Sequence, residues 1–582
     1  MPEFSLLQSL SLEIAVGFMA LVFSRWRFWQ RAVAGAEQAL SRWGRRPYEC
    51  FFLIVLASMA LRLLLLAIEP VPIPLFHDEF SYLLGADTFI RGRLANPQPA
   101  VPIAFETIHV NMSPTYQSMY MPGTALLLTV GRILGHPWIA VLLATAIFCA
   151  ALYWMASAWL PRPYALVASL IGIGITGNLN WWFDNYFALA LVSLGATLVL
   201  GSLPRIASQL NWQSTFALGT GLVLLVLTRP YEGFWISFPG VIVLLWKLRH
   251  AGGNTLLKLA AVPVALLATV SIWLLYYNWR GTGHALLFPY MLNFREYHIT
   301  GPFLFSAKHP LPNYRVDLLR RFYIFAEVQQ YEFIHTHPWE FLMRKIWVYY
   351  YTFLFGFGIL LISGLISLIR RHREGLLVAP LFAFGGFVLT TVLMGWAPFP
   401  QYAAPAAPLL ILIVVTGLMA LRHWEWRWIN GLHVTRGLVL SELMLGLSLF
   451  GLRVANSQDY QEPQYVTRDR ARVAKDVLSH PGKQLCLVRY TPYHEPWQEW
   501  VFNDAAPSDE RLVWARSLDA QTDRKVIAAY PDRGVWLVQP DFPDKLLNPY
   551  PISLNASQAS AFDTKAEETH GYIPASQKNR GR

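Results

Sequence analysis

The densest run of polar, chemistry-bearing residues is Phe76-His77-Asp78-Glu79-Phe80-Ser81-Tyr82-Leu83-Leu84, which starts within about ten residues of the end of an apolar stretch. At helical spacing Asp78 and Tyr82 share a face with Gly85 and Ala86, and Phe76, Phe80, Leu83 and Leu84 supply apolar contact. A carboxylate beside small residues has room for a ligand. Acids in a helix's first turn also favour its positive end, so Asp78 and Glu79 admit a purely structural reading. Asp87 and Arg91 stand i,i+4 and Gly92 suits a C-cap, which predicts a helix ending near Arg91. Glu106, His109, Tyr116 and Tyr120 follow in the same polar stretch and suit a cleft, although a belt of interfacial aromatics explains the tyrosines equally well. Two charged breaks interrupt later apolar runs, one at Asp184 and one at Thr228-Arg229-Pro230-Tyr231-Glu232-Gly233. Charges at such breaks line cavities more often than they face lipid, and a structural Asp184–Arg229 pair is the alternative. Tyr402, in Pro400-Gln401-Tyr402, is placed to close a pocket.

These groups need a scaffold, and composition identifies its solvent. The 582 residues are 54% hydrophobic and 14% charged, against about 25% charged in soluble domains; mean hydropathy is +0.35. Stretches 50–68, 138–160, 376–394 and 403–421 approach or exceed the roughly 20 apolar residues a spanning helix needs. They are continuous rather than alternating, which excludes a barrel. The net charge of +11 comes from basic residues in short loops, so it reports topology rather than a nucleic-acid partner. Cys50, Cys149 and Cys486 have no CxxC spacing, and His77, Glu106 and His109 match no ligand motif, so no metal or other cofactor is expected, though a divalent ion is not excluded. The apolar start, 5–23, carries Glu13 and is followed by arginines, which reads as a retained helix rather than a cleaved signal.

The arginines of 25–46 place that segment in the cytoplasm, so 50–68 runs outward and delivers 69–121 as a first outside loop. Basic clusters at 247–258, 370–373 and 422–436 are further interior anchors, leaving 277–347 and 396–402 outside. Parity does not close between 123 and 246 unless one piece, such as 123–134, is re-entrant or two pieces are fused, and roughly eleven to thirteen helices follow. The resulting division is 1–49, an N-terminal helix with a basic cytoplasmic segment; 50–453, a transmembrane domain; 454–552, an extracytoplasmic α/β domain; and 553–582, a polar tail without periodicity. Within 454–552, strands are predicted at 484–490, 511–515 and 534–539 and helices at 467–478 and 520–530.

An Asp-Glu pair soon after an outgoing helix, in a long first outside loop followed by many helices and a soluble C-terminal region, resembles the GT-C glycosyltransferases. The nearest likeness is to bacterial relatives of protein O-mannosyltransferases and aminoarabinose transferases. The matching stretch is HDEFSYLLGADTFIRGRLANP, followed by SPTYQSMYMPG at 113–123, and the tail's LCLVRYTPYHEPWQEWVFN, LVWARSL and VWLVQPD resemble the C-terminal regions of those enzymes. The likeness covers 50–453 in architecture and only the first loop in residue detail. It implies an all-α polytopic GT-C fold in a bacterial inner membrane, a polyprenyl-phosphate sugar donor, and a lipid, glycan or protein acceptor of the cell envelope at the extracytoplasmic face. It makes Asp78 the base that activates the acceptor hydroxyl, with Glu79 as the second catalytic candidate and His77 beside them. A phosphate leaving group needs positive charge, for which Arg91, Arg93, Arg229, Arg280 and Arg295 are available; each also reads as an interface arginine. Tyr82, Glu106, His109, Tyr116, Tyr120, Asp184, Glu232 and Tyr402 are the further substrate-binding candidates.

The alternative is a transporter or flippase, which places ionisable groups near the bilayer midplane, often in related halves. The charges at Asp184 and Arg229 keep that reading open. No related halves are visible, and a long first loop and a bulky tail are parts a transporter does not need.

Overall fold

The computed structural model describes residues 6–177, 184–353, 356–371, 375–395, 399–427, 429–455 and 465–551. The start of the expected turn at 396–402 and the polar tail expected over 553–582 lie outside the described residues. Among the described residues six helices are long and apolar enough to cross a membrane: Pro47–Ala67, Pro137–Ala156, Leu189–Ser208, Gly253–Thr282, Gln401–Arg422 and Gly431–Leu452. Four shorter apolar helices, Ser11–Phe23, Trp212–Thr228, Gly358–Arg370 and Val378–Leu393, accompany them. By length and composition this is a multi-pass membrane protein.

Pro137–Ala156 and Leu189–Ser208 form the bundle's centre and are buried along most of their length, whereas Gly253–Thr282 exposes Val264, Ile272 and Leu275. Small residues let the central helices touch. A Cβ at Gly221 would lie 2.6 Å from the carbonyl oxygen of Gly195, so this crossing is set by backbone contact. The helix Pro122–Ile133 has 12 residues, about 18 Å of rise, too short for a hydrocarbon core of roughly 30 Å. It stands where the basic anchors left parity open, packed between the first-loop helix and Trp212–Thr228.

On the expected cytoplasmic side, the amphipathic helix Arg27–Trp43 presents Glu37 to Arg422 and to Arg436, the latter at 2.6 Å. The segment after the first helix and the anchors at 422–436 therefore meet on one side. A short hairpin, Glu425–Trp426 with Ile429–Asn430, joins the last two spans.

On the opposite side the first loop forms the helix His77–Ile90 and a small hairpin, β1 (Val110–Asn111) with β2 (Gln117–Ser118). Numbering the Glu425 hairpin as β3 and β4, the C-terminal unit carries β5 (Lys483–Val488), β6 (Leu512–Arg516), β7 (Arg533–Val538) and β8 (Leu547–Pro549) in the order β6-β5-β7-β8. The first three strands are parallel, with Cys486 opposite both Trp514 and Trp536, and β8 closes the edge antiparallel. Helices Tyr465–Leu478 and Ala520–Ala529 accompany the sheet. Central β5 is buried on both faces, as a parallel strand covered on each side should be. Cys486 and Val488 pack with Val473, Val477 and Trp500. Leu485 and Leu487 pack in one core with Leu84, Phe105, Met112 and Tyr116 of the first loop. The tail therefore shares a core with the loop.

Candidate active site

The helix His77–Ile90 begins at Phe76, whose side chain cannot accept the helix's free N–H groups. Glu79 does part of that work. Its Oε2 accepts from the N–H groups of Leu75 (2.7 Å) and Phe76 (3.0 Å), and its Oε1 accepts from Tyr186 N–H at 3.0 Å. The side chain is 1% exposed. Burial pushes its carboxyl up to about 7 against the pull of these donors. Glu79 positions the helix against the turn at Tyr186; it does not reach into a cleft.

Its neighbour Asp78 points elsewhere, with 24% of its side chain exposed. Tyr120 Oη donates to Asp78 Oδ1. His109 Nδ1 lies 3.1 Å from Tyr120 Oη and 3.8 Å from Asp78 Oδ2. Burial lowers the His109 imidazole to about 4, so it is neutral near pH 7, and burial beside Asp78 raises the Tyr120 hydroxyl well above an ordinary phenol, so it stays protonated. Since Tyr120's one proton goes to Asp78, Nδ1–H of His109 must donate to Tyr120 Oη. The outcome is a chain of donors ending on one oxygen of Asp78. His109 adopts a left-handed backbone (φ 60°), held by Ser81 Oγ donating to its carbonyl at 2.7 Å.

Arg229 faces this group from the membrane bundle. Pro230 has no N–H and ends the Trp212–Thr228 ladder, so the chain breaks at Arg229 before Pro230–Lys247 begins. Arg229 Nη1 is 3.2 Å from Glu232 Oε1, and its guanidinium lies 5.1 Å from the Tyr402 ring centre. Tyr82 packs against Tyr120 with the ring centres 4.6 Å apart and the planes tilted by 32°. Tyr82 and Tyr402 both lie in the fields of Asp78 and Arg229 together. Asp78, Tyr82, His109, Tyr120, Arg229, Glu232 and Tyr402 thus form one site. His77 borders the site, its Nε2 3.0 Å from Trp497 O and its ring stacked on Trp497 at 5.9 Å.

The remaining candidates lie apart. Asp184 does not pair with Arg229. It binds Arg62 at 2.6 Å and accepts from Trp138 Nε1 at 2.6 Å. Arg62, 2% exposed, also donates to Glu69 O at 2.9 Å, so the pair fastens the end of the first outgoing helix. An arginine inside an apolar run reads as a spanning residue, which is why Arg62 went unmarked. Arg91 bridges Asp87 (2.9 Å), Asp509 (3.3 Å) and Glu510. Glu106 is bound by Tyr297 Oη at 2.8 Å and Arg315 at 3.2 Å. Tyr116 is buried in the core shared with the tail, donating to Asn503 O at 3.0 Å. Arg295 is exposed on Pro289–Tyr297. Arg93 and Arg280 line a separate cleft. In the tail, Trp500 is buried in the sheet core, whereas Trp497 is 39% exposed beside His77.

For a metal, Glu106 is turned to partners away from His77 and His109. Among the described residues, Asp87, Asp504 and Glu510 lie close enough to share an ion. Arg91 and Arg132 already contact these acids, Arg132 at 3.4 Å from both Asp87 and Asp504, so side chains offset part of the charge there.

No family model matches the chain, and no curated protein matches it in sequence. Among solved structures it is similar to the Archaeoglobus fulgidus oligosaccharyltransferase in complex with Zn and sulfate, with a TM-score of 0.47 and 12% identity over 84% of this chain and 67% of that one. It is likewise similar to the archaeal oligosaccharyltransferase AglB from Archaeoglobus fulgidus in complex with an inhibitory peptide and a dolichol-phosphate, with a TM-score of 0.43 and 11% identity over 85% and 69%. At 11–12% identity no residue role carries over from them.

Proposed function

We propose that this multi-pass membrane protein is a glycosyltransferase that moves a sugar from a polyprenyl-phosphate donor to a hydroxyl of a cell-envelope lipid, glycan or protein at the extracytoplasmic face. The observation that carries the reading is an oriented, partly open carboxylate, Asp78, held by Tyr120, on which Tyr82 packs, and a cation, Arg229, held by Glu232 beside the ring of Tyr402. A transfer of this kind needs both. The acceptor oxygen forms a bond to the anomeric carbon as the bond from that carbon to the phosphate oxygen breaks. Asp78 takes the acceptor's proton, and the electron pair leaves with the phosphate. Arg229's planar fork suits the departing phosphate, and Glu232 holds the guanidinium in place. Tyr82 and Tyr402 supply rings and hydroxyls for the sugar, and the Tyr120 hydroxyl is committed to Asp78. No step in this scheme needs a metal or other cofactor. Sugar transfer in purified membranes tests it with Asp78→Asn, Arg229→Ala and, as control, Glu49→Gln, an exposed acid at the other end of the first outgoing helix. The first two should lose nearly all transfer at matched expression while the control keeps it. Full activity in Asp78→Asn refutes the assignment.

A further inference from the structure

A second cleft opens at the other end of the first-loop helix. The 14 residues of that helix, at a rise of 1.5 Å each, place its end about 20 Å from Asp78, so one phosphate cannot serve both places. Gly92, at φ 68°, turns the chain there: its N–H donates to Phe89 O and the Arg93 N–H to Thr88 O, which swings Arg93 outward. The opposite wall is the end of Gly253–Thr282, bearing Tyr276 and Arg280, with Arg280 Nη1 3.4 Å from Tyr276 Oη. Thr115 Oγ1 donates to Gly281 O at 2.6 Å and ties the walls together. The cavity measures about 520 Å³, within the roughly 300–1,000 Å³ of ligand sites. Arginines are the charged residues that line it; the lining contains no acid.

What lies beside the cleft identifies the ligand's source. Gly253–Thr282 is the spanning helix with the least buried surface, and Ile272, Leu275 and Trp279 are exposed on the turns around Tyr276. Tyr and Trp at that level mark a membrane–water interface. The cleft's mouth therefore opens where lipid phosphates lie. We propose that it binds the phosphate head group of an anionic phospholipid from the surrounding bilayer, with Arg93 and Arg280 holding the phosphate oxygens and the acyl chains lying along the exposed face of Gly253–Thr282. A zwitterionic head group would bring an ammonium into a cleft whose lining offers it no carboxylate. This site does not depend on the assignment of Asp78 as a base.

Native mass spectrometry of the full-length, delipidated protein in detergent tests this by titration with phosphatidylglycerol and with phosphatidylcholine. The parent should bind phosphatidylglycerol at least about tenfold more tightly than phosphatidylcholine. Arg93→Gln with Arg280→Gln should weaken it by about thirtyfold, from the contribution of each basic residue near an anionic surface. Arg93→Lys with Arg280→Lys should retain most of the binding. Arg249→Gln, at the far end of the bundle, should have no effect. Both arginines are exposed, and an unchanged melting temperature verifies that each variant is folded; should the double variant not fold, the two single substitutions carry the test. Equal binding of the two lipids, or parental affinity in the Gln pair, overturns the proposal. Displacement of phosphatidylglycerol by millimolar inorganic phosphate, or by equimolar polyprenyl phosphate, overturns the assignment to a bilayer lipid.

Discussion

Asp78 and Glu79 are adjacent carboxyl groups put to different uses. Glu79 is consumed by three backbone N–H groups, and Asp78 by one phenol, which leaves it open to a ligand. Removing that phenol's hydroxyl isolates its role: Tyr120→Phe should keep the fold and the donor KM but lower kcat for transfer by about 10- to 100-fold, because the base loses its fixed orientation. Kinetics at saturating donor check this, and an unchanged kcat counts against the chain from His109 through Tyr120. The buried groups also set opposing pH responses. His109, lowered from 6.5 to about 4, contributes stability that is intact above pH 6.5 and lost as pH falls towards 4. Glu79, raised from 4.5 to about 7, contributes stability that is intact below pH 4.5 and lost as pH rises through 7. Between pH 4.5 and 6.5 the two oppose each other. Melting temperatures across that window should therefore fall more steeply with acid in Glu79→Gln than in the parent and less steeply in His109→Asn; equal slopes in all three reject both assignments.

At the scale of elements, the site depends on the short helix Pro122–Ile133, which separates the carrier of Asp78 from the carrier of Arg229. Gly85 of the first-loop helix abuts Ala125, and a Cβ at Gly123 would lie 2.7 Å from both the Leu227 carbonyl oxygen and Thr228 Cγ2, just before the break at Arg229. A methyl at position 123 must push that backbone aside. Gly123→Ala should leave the protein inserted and folded yet cost about 100-fold in transfer, the scale of a 1 Å misplacement. Transfer assays with matched membrane expression decide this; wild-type activity would mean that the spacing between Asp78 and Arg229 is not set here. The sequence marked 123–134 by its length and by the parity of basic anchors, because both are counted along the chain. It did not show which neighbours the helix separates, since that contact is made by two glycines without distinguishing chemistry.

At the scale of the whole molecule, the tail and the first loop form one folded unit. They share an apolar core and meet across a charged seam in which Arg91 and Arg132 pair with Asp87, Asp504 and Glu510. Arg516 strengthens the seam, donating to Glu106 O at 2.6 Å and pairing with buried Glu499. Arg91→Ala with Arg132→Ala leaves the three acids facing one another, Asp87 nearly buried. Limited proteolysis of the purified protein should then release the tail at protease levels that leave the parent intact, with transfer reduced in parallel; parental resistance would show that the apolar core alone holds the two parts together.

By itself the sequence determined the solvent, the apolar helices and the α/β pattern of the tail, because each is written in local composition and periodicity. It also marked Asp78, Arg229 and Tyr402, since charge and aromatic residues at breaks in apolar runs stand out against their background. Tertiary structure alone decided which of the marked residues meet. Asp184 went to Arg62, Glu106 to Arg315 and Arg91 to the tail, while Asp78 and Arg229, 151 positions apart, came to one site. Pairing is a property of distance in space, and a buried charge takes whichever partner the packing brings within reach.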